Sequence, residues 1–92
     1  MSWDVRQTHR FVRAYKKLPE NIIADVDNAV ALVAKDPNVG ERKNGDLADL
    51  WVYKFRSSGQ LFLLGYTRND NVRLVYLEAF GPNENFYREM KR

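Results

Sequence analysis

The chain is predicted to fold as a single α+β domain. The order is an N-terminal strand, a helical hairpin, an antiparallel three-stranded meander that completes a four-stranded sheet, and a short C-terminal helix. Three observations predict it: apolar residues recur at helical spacing between positions 11 and 33, strand-like apolar runs fill positions 50 to 80, and a polar, glycine-bearing stretch separates the two regions. Ninety-two residues, 45% hydrophobic and 13% aromatic, supply enough apolar material for one core.

Trp3-Asp-Val-Arg-Gln alternates briefly and reads as an edge strand. Thr8 suits a helix N-cap, and Phe11, Ala14, Tyr15 and Leu18 fall at i, i+3, i+4 and i+7, the buried stripe of a short helix. Pro19 is tolerated at the first turn of the next helix, in which Ile22, Ile23, Val26, Ala29, Val30 and Val33 keep helical spacing until Asp36-Pro37 stops it. Residues 37 to 49 carry Gly40 and Asn44-Gly45 and are expected to be a long connection. Strands then follow at 50 to 56, 60 to 67 and 72 to 80, joined by Ser57-Ser-Gly and Asn69-Asp-Asn, both of which are turn chemistry. The middle strand, Leu61-Phe-Leu-Leu-Gly-Tyr, is apolar on both faces, so a second layer must cover it, either the C-terminal segment or a partner. Gly81-Pro82 is expected to end the sheet, and Asn83 to cap a helix over 84 to 92.

The most informative stretch is the first meander strand. Side chains alternate with period two, so Lys54 and Arg56 share one face while Trp51, Tyr53 and Phe55 take the other. One face is candidate core and the other a candidate site. Charge is also unevenly spread. Arg6, Arg10, Arg13, Lys16 and Lys17 face only Asp4 in the first 17 residues, whereas the second helix is acidic through Glu20, Asp25, Asp27 and Asp36. Arg10, Arg13 and Lys17 form a basic stripe that attracts nucleic acid or an acidic protein, or else pairs in part with the acidic helix beside it.

Several chemistries are excluded by what is missing. There is no cysteine, hence no disulfide framework or thiolate metal site, and a Ser-His-Asp triad or a two-histidine metal site has nothing to work with unless His9, the single histidine, serves, which no acidic or serine motif nearby supports. No metal or cofactor is expected. No export signal and no run of roughly 18 apolar residues is visible, which points to a soluble cytoplasmic protein with no membrane partner. What remains is a cationic site in which Lys54 and Arg56, with Tyr87 from the C-terminal helix, bind phosphate or, in the stronger version, cleave RNA. Cleavage by 2′-hydroxyl attack needs a base, an acid and a cation for the phosphorane charge, and without histidine these residue types must serve. The plainer reading, that Lys54 and Arg56 are solvated residues near a turn and Tyr87 packs on the sheet, stays open on residue types alone.

The element order, together with Tyr15-Lys-Lys-Leu-Pro, Gly45-Asp-Leu-Ala-Asp-Leu-Trp-Val-Tyr-Lys-Phe-Arg-Ser-Ser-Gly and Gly81-Pro-Asn-Glu-Asn-Phe-Tyr-Arg, resembles the RelE/ParE superfamily of type II toxin–antitoxin toxins over essentially the whole chain. The resemblance implies a compact toxin, neutralised by a small cognate antitoxin, that meets operator DNA only through that antitoxin. RelE-like members are similar to ribosome-dependent ribonucleases with a lysine on the first meander strand, an arginine after the following turn, another after the last strand, and a tyrosine in the terminal helix. Lys54 and Tyr87 match this pattern. Gln60-Leu61-Phe62 and Gly81 to Phe86 hold no arginine, and Asn83 and Asn85 stand where related nucleases place histidine. That depletion favours the ParE-like branch, whose better-known members inhibit DNA gyrase. The alternatives are an mRNA endonuclease using Lys54, Arg56 and Tyr87, and a non-toxic co-repressor that only binds antitoxin. On the favoured reading Tyr87, Arg88 and Lys91 contact the target, while Arg10, Arg13 and Lys17 rim a groove for an acidic antitoxin segment.

Overall fold

The computed structural model describes residues 2–43 and 49–90. Its elements are β1 (Asp4–Gln7), α1 (His9–Lys16), α2 (Glu20–Lys35), a 3-10 turn (Pro37–Val39), β2 (Glu41–Arg42), β3 (Trp51–Ser57), β4 (Gln60–Asn69), β5 (Leu74–Pro82) and α3 (Asn83–Met90). The strands form one sheet in the order β1-β5-β4-β3-β2, with β1 parallel to β5 and the other pairs antiparallel.

The helical hairpin forms as the spacing predicts. The Thr8 side chain accepts from the Phe11 amide at 3.2 Å, satisfying a first-turn donor of α1. Its hydroxyl also lies within reach of the Leu77 and Glu78 carbonyls, which ties the start of α1 to β5. Tyr15 donates to Asp27 at 2.7 Å and joins α1 to α2.

Four boundaries differ from the sequence expectation. The sheet has five strands rather than four, because the connection after α2 contributes β2. The buried Tyr66 hydroxyl accepts from the Gly40 amide at 3.1 Å and donates to the Pro37 carbonyl, which holds this segment beside β3 so that Glu41 and Arg42 pair with Val52 and Trp51. β5 begins at Leu74, not Val72, since Val72 is 61% exposed and Arg73 takes a left-handed conformation in the turn. It also runs through Gly81-Pro82, which pair with Leu63 and Phe62 instead of ending the sheet. The final helix begins at Asn83 itself.

Each face of the sheet has a core. Phe11, Val26, Ala29 and Val33 of the helices pack on Leu64, Tyr66, Val75 and Leu77, with Trp51, Tyr53 and Phe55 half-buried at the margin. On the other face Leu50, Val52, Leu63 and Ala79 are covered by Phe86 of α3, so the C-terminal segment supplies the second layer that the central strand requires. The β4–β5 register shifts between Gly65 and Tyr66, leaving Glu78 as an extra residue, and this bulge puts Leu77 in the first core and Ala79 in the second.

Candidate functional site

Lys54 and Arg56 are both exposed and lie on the sheet face that α3 covers, the same face as buried Val52. The candidate site face is therefore half core, half solvated. The hairpin that carries the two cations is anchored from below. Ser57 is 3% exposed and donates to Asp25 of α2 at 2.7 Å, while Asn21 of α2 donates to the Ser58 hydroxyl at 2.7 Å. Ser58 and Gly59 have φ of 51° and 76°, the left-handed pair that a two-residue hairpin turn demands. The Ser-Ser-Gly text is thus read twice, once as turn geometry and once as two hydroxyls bound to a helix.

The strands beside Lys54 bring no further cation to it. Lys54 faces Leu63 on β4, which faces Gly81 on β5, and Arg56 faces Leu61. Arg73 lies in the turn just before β5, eight residues along from Gly81 and thus roughly 26 Å away at strand spacing. It lies over the Trp3 ring at 5.3 Å instead.

Tyr87 is half-buried, its ring edge-on to buried Phe86 at 5.1 Å between centroids. The Lys43 ammonium stands 5.7 Å from the Tyr87 ring centroid and 4.0 Å from the Glu41 carboxylate. Lys43 was not a candidate on sequence grounds, because it lies in the aperiodic connection, where pattern carries no information about facing. Arg88 is exposed in the last turn of α3, and Lys91, expected on the same surface, lies outside the described residues.

The α1 stripe is divided. Arg13 and Lys17 are exposed, but Arg10 reaches across to the Met90 sulfur of α3 at 3.3 Å, so it joins two elements as well as facing solvent. At the other end of the sheet a shallow cleft of about 570 Å³ is lined by Asn38, Arg42, Asp49, Trp51, Arg68 and Asp70. Arg68, in its wall, is held by protein contacts. Arg68 lies between the Trp3 and Trp51 rings at 4.9 and 4.8 Å, pairs with both Asp70 carboxylate oxygens at 2.8 and 3.1 Å, and donates to Asn38 at 2.8 Å. A guanidinium engaged on both faces and along its edge is a structural clamp.

The arrangement can bind an anionic or mixed surface around Lys54, Arg56 and Tyr87. Among the described residues no three histidine, aspartate or glutamate side chains converge as a metal site, and no helix is long and apolar enough to cross a membrane.

The fold is shared with solved toxin structures. The chain is 26% identical to a chain of the toxin–antitoxin complex RelBE2 from Mycobacterium tuberculosis, with a TM-score of 0.76, covering 90% of this chain and 100% of that one. It is 21% identical to a chain of the intact Escherichia coli RelBE complex, with a TM-score of 0.72 and coverage of 88% and 96%. A double arginine-to-alanine mutant of E. coli RelE in the free state is likewise similar, at 21% identity and a TM-score of 0.73, over 100% of this chain and 98% of that one. A search of curated proteins finds no match. Residues 5–91 match the family model for the ParE-like toxin of type II bacterial toxin–antitoxin systems, and the chain belongs to that family.

Proposed function

We propose that this toxin acts by binding DNA gyrase and holding it on cleaved DNA, and that a cognate antitoxin neutralises it. The observation that carries this reading is the apolar neighbourhood of Lys54. Its cross-strand partners are Leu63 and, beyond, Gly81, so among the described residues no arginine stands across the sheet from it to take charge from a phosphorane. A binder that acts through surface contacts has no such requirement, and exposed Arg88 with the Tyr87 edge supplies such a surface. The antitoxin contributes an acidic, otherwise disordered segment along Arg10, Arg13 and Lys17 of α1. The RelBE neighbours, which are toxin–antitoxin complexes, support a partner of this kind.

One observation favours a second reading. Lys43 over the Tyr87 ring adds a cation on the face that carries Lys54, the composition a ribosome-dependent mRNA endonuclease needs. Purified protein added to translating ribosomes separates the two. Intact mRNA is expected, whereas codon-specific cuts that vanish in Lys54→Ala and Tyr87→Phe establish the nuclease. Absence of either activity, with tight antitoxin binding, establishes a co-repressor.

A further inference from the structure

The outer edge of β1 carries a charge pattern that is its own complement. β1 ends the sheet, and among the described residues β5 is the one strand that pairs with it. The Asp4 amide donates to the Arg73 carbonyl at 3.0 Å and the Thr8 amide to the Leu77 carbonyl at 3.1 Å, and these bonds set the phase of the strand. Backbone groups of successive strand residues point to opposite sides, so Asp4 and Arg6 turn their N–H and C=O toward β5 while Val5 and Gln7 turn theirs outward. Side chains alternate too. Val5 packs on the helix-covered core, whereas Asp4 and Arg6 are exposed on the other face, and neither forms an ion pair among the described residues.

We propose that this edge pairs with the same edge of a second copy of the chain, antiparallel about a twofold axis at Val5, so that two five-stranded sheets become one. Val5 then lies opposite Val5 of the second copy, and the outward N–H and C=O of each bond those of the other. In this register Asp4 stands opposite Arg6 of the second copy, and Arg6 opposite its Asp4. Two cross-strand ion pairs form on the solvated face while the Val5 side chains meet on the core face, and both kinds of pair stabilise such a junction.

Charge fixes both the occupant and the register. A slip of one residue turns the Val5 of one copy onto the charged face. A slip of two sets Arg6 against Arg6 or Asp4 against Asp4, and like charges directly opposite repel. Edge charges of one sign keep like strands apart, but opposite signs two residues apart attract their own antiparallel copy. The ladder is short, since the Trp3 amide is already held by the Ala34 carbonyl of α2 at 2.7 Å. A four-residue edge buries far less than the roughly 1,600 Å² of a stable interface, so the dimer is reversible and depends on concentration. It leaves Lys54 and Arg56 of both copies toward the outer ends of the joined sheet, three strands from the junction.

The test is sedimentation velocity of the purified full-length protein at rising concentration. The parent should move from one chain toward two, and less so in high salt. Asp4→Arg, which leaves two positive charges on the edge, and Arg6→Asp, which leaves two negative ones, should each stay monomeric with the parent's melting temperature. Mixed together, the two variants should form a heterodimer, because every arginine then faces an aspartate. The chain has no cysteine, so a single introduced thiol reports its own position. Val5→Cys, on the axis, should crosslink to a dimer under mild oxidant, and Gln7→Cys, off the axis, should not. A parent that stays monomeric at its highest soluble concentration overturns the inference, as does a dimer that both charge variants keep or that their mixture fails to restore. Equal crosslinking of Val5→Cys and Gln7→Cys overturns the register. A monomeric parent whose Val5 amide is protected from exchange only when antitoxin is added gives the edge to the antitoxin and overturns self-pairing.

Discussion

Phe86 seats on the sheet because Gly65 has no side chain. A β-carbon at Gly65 would stand 2.6 Å from the tip of the Phe86 ring, and 3.3 Å from Leu50. α3 can therefore approach β4 closely enough to bury Phe86 to 2% exposure and to present Tyr87 beside Lys43.

Gly65→Ala should consequently destabilise the protein by about 1–3 kcal/mol through overpacking. Phe86→Ala should cost about 3–5 kcal/mol. Because the two residues share one contact, the double substitution should cost less than the sum. Arg88→Ala, on the exposed side of the same helix, should stay within about 0.5 kcal/mol of the parent. Urea unfolding of the four variants checks this, and equal costs for Phe86→Ala and Arg88→Ala would show that α3 is not docked through Phe86.

Arg68 should be the most sensitive arginine in the chain. Its side chain is 11% exposed and its guanidinium touches Trp3, Trp51, Asp70 and Asn38. Arg68→Ala removes packing and charge together and should cost about 2 kcal/mol or more. Arg68→Lys should recover only part of this, since an ammonium cannot span two rings and a carboxylate at once. Asp70, whose side chain is 66% exposed, should matter less. Tryptophan fluorescence, reporting Trp3 and Trp51 directly, should shift in Arg68→Lys before any loss of secondary structure.

Alkaline pH should unfold the protein through two tyrosines. Burial raises the Tyr66 hydroxyl above its ordinary 10.0, opposed by the Gly40 amide and the nearby Arg68 charge. The hydrogen bond to the Asp27 carboxylate raises Tyr15. Both groups hold their protons more tightly folded than unfolded. Stability should thus be intact below pH 10 and fall as pH rises through the folded values. Tyr15→Phe should make the fall shallower. A denaturation midpoint independent of pH from 9 to 11.5 would contradict the assignment.

Charge on α1 should set the rate of antitoxin capture. Arg13→Glu with Lys17→Glu should slow association severalfold and weaken its salt dependence, with little change in melting temperature because both side chains are exposed. Association rates measured by stopped flow across a salt titration decide it; identical rates in parent and variant would remove α1 from the interface.

Much of this was legible in the sequence, and the exceptions share a cause. Period-two alternation put Lys54 and Arg56 on one face, and Ser57-Ser-Gly gave the turn between β3 and β4, because both signals are local. Helical spacing likewise placed Phe11 and Val26 inside. Lys43 beside Tyr87, Arg68 between two tryptophans and Arg10 on Met90 were not legible, since each depends on how distant segments meet. β2 carries no signal for the same reason. Glu41-Arg42 has no strand signal of its own and pairs because Tyr66 holds Gly40 in place. The bulge at Glu78, which sorts Leu77 and Ala79 into different cores, leaves no mark in the pattern.

The central claim, that this ParE-like toxin disables its target by contact and not by cutting RNA, is tested most directly by a gyrase cleavage assay. Purified toxin is incubated with gyrase, ATP and relaxed plasmid, and the DNA is analysed after protease treatment. Supercoiling should stop, linear plasmid should accumulate with toxin concentration, and both effects should disappear when antitoxin is added first. Unimpaired supercoiling and no linear product at a large excess of active toxin would contradict the account.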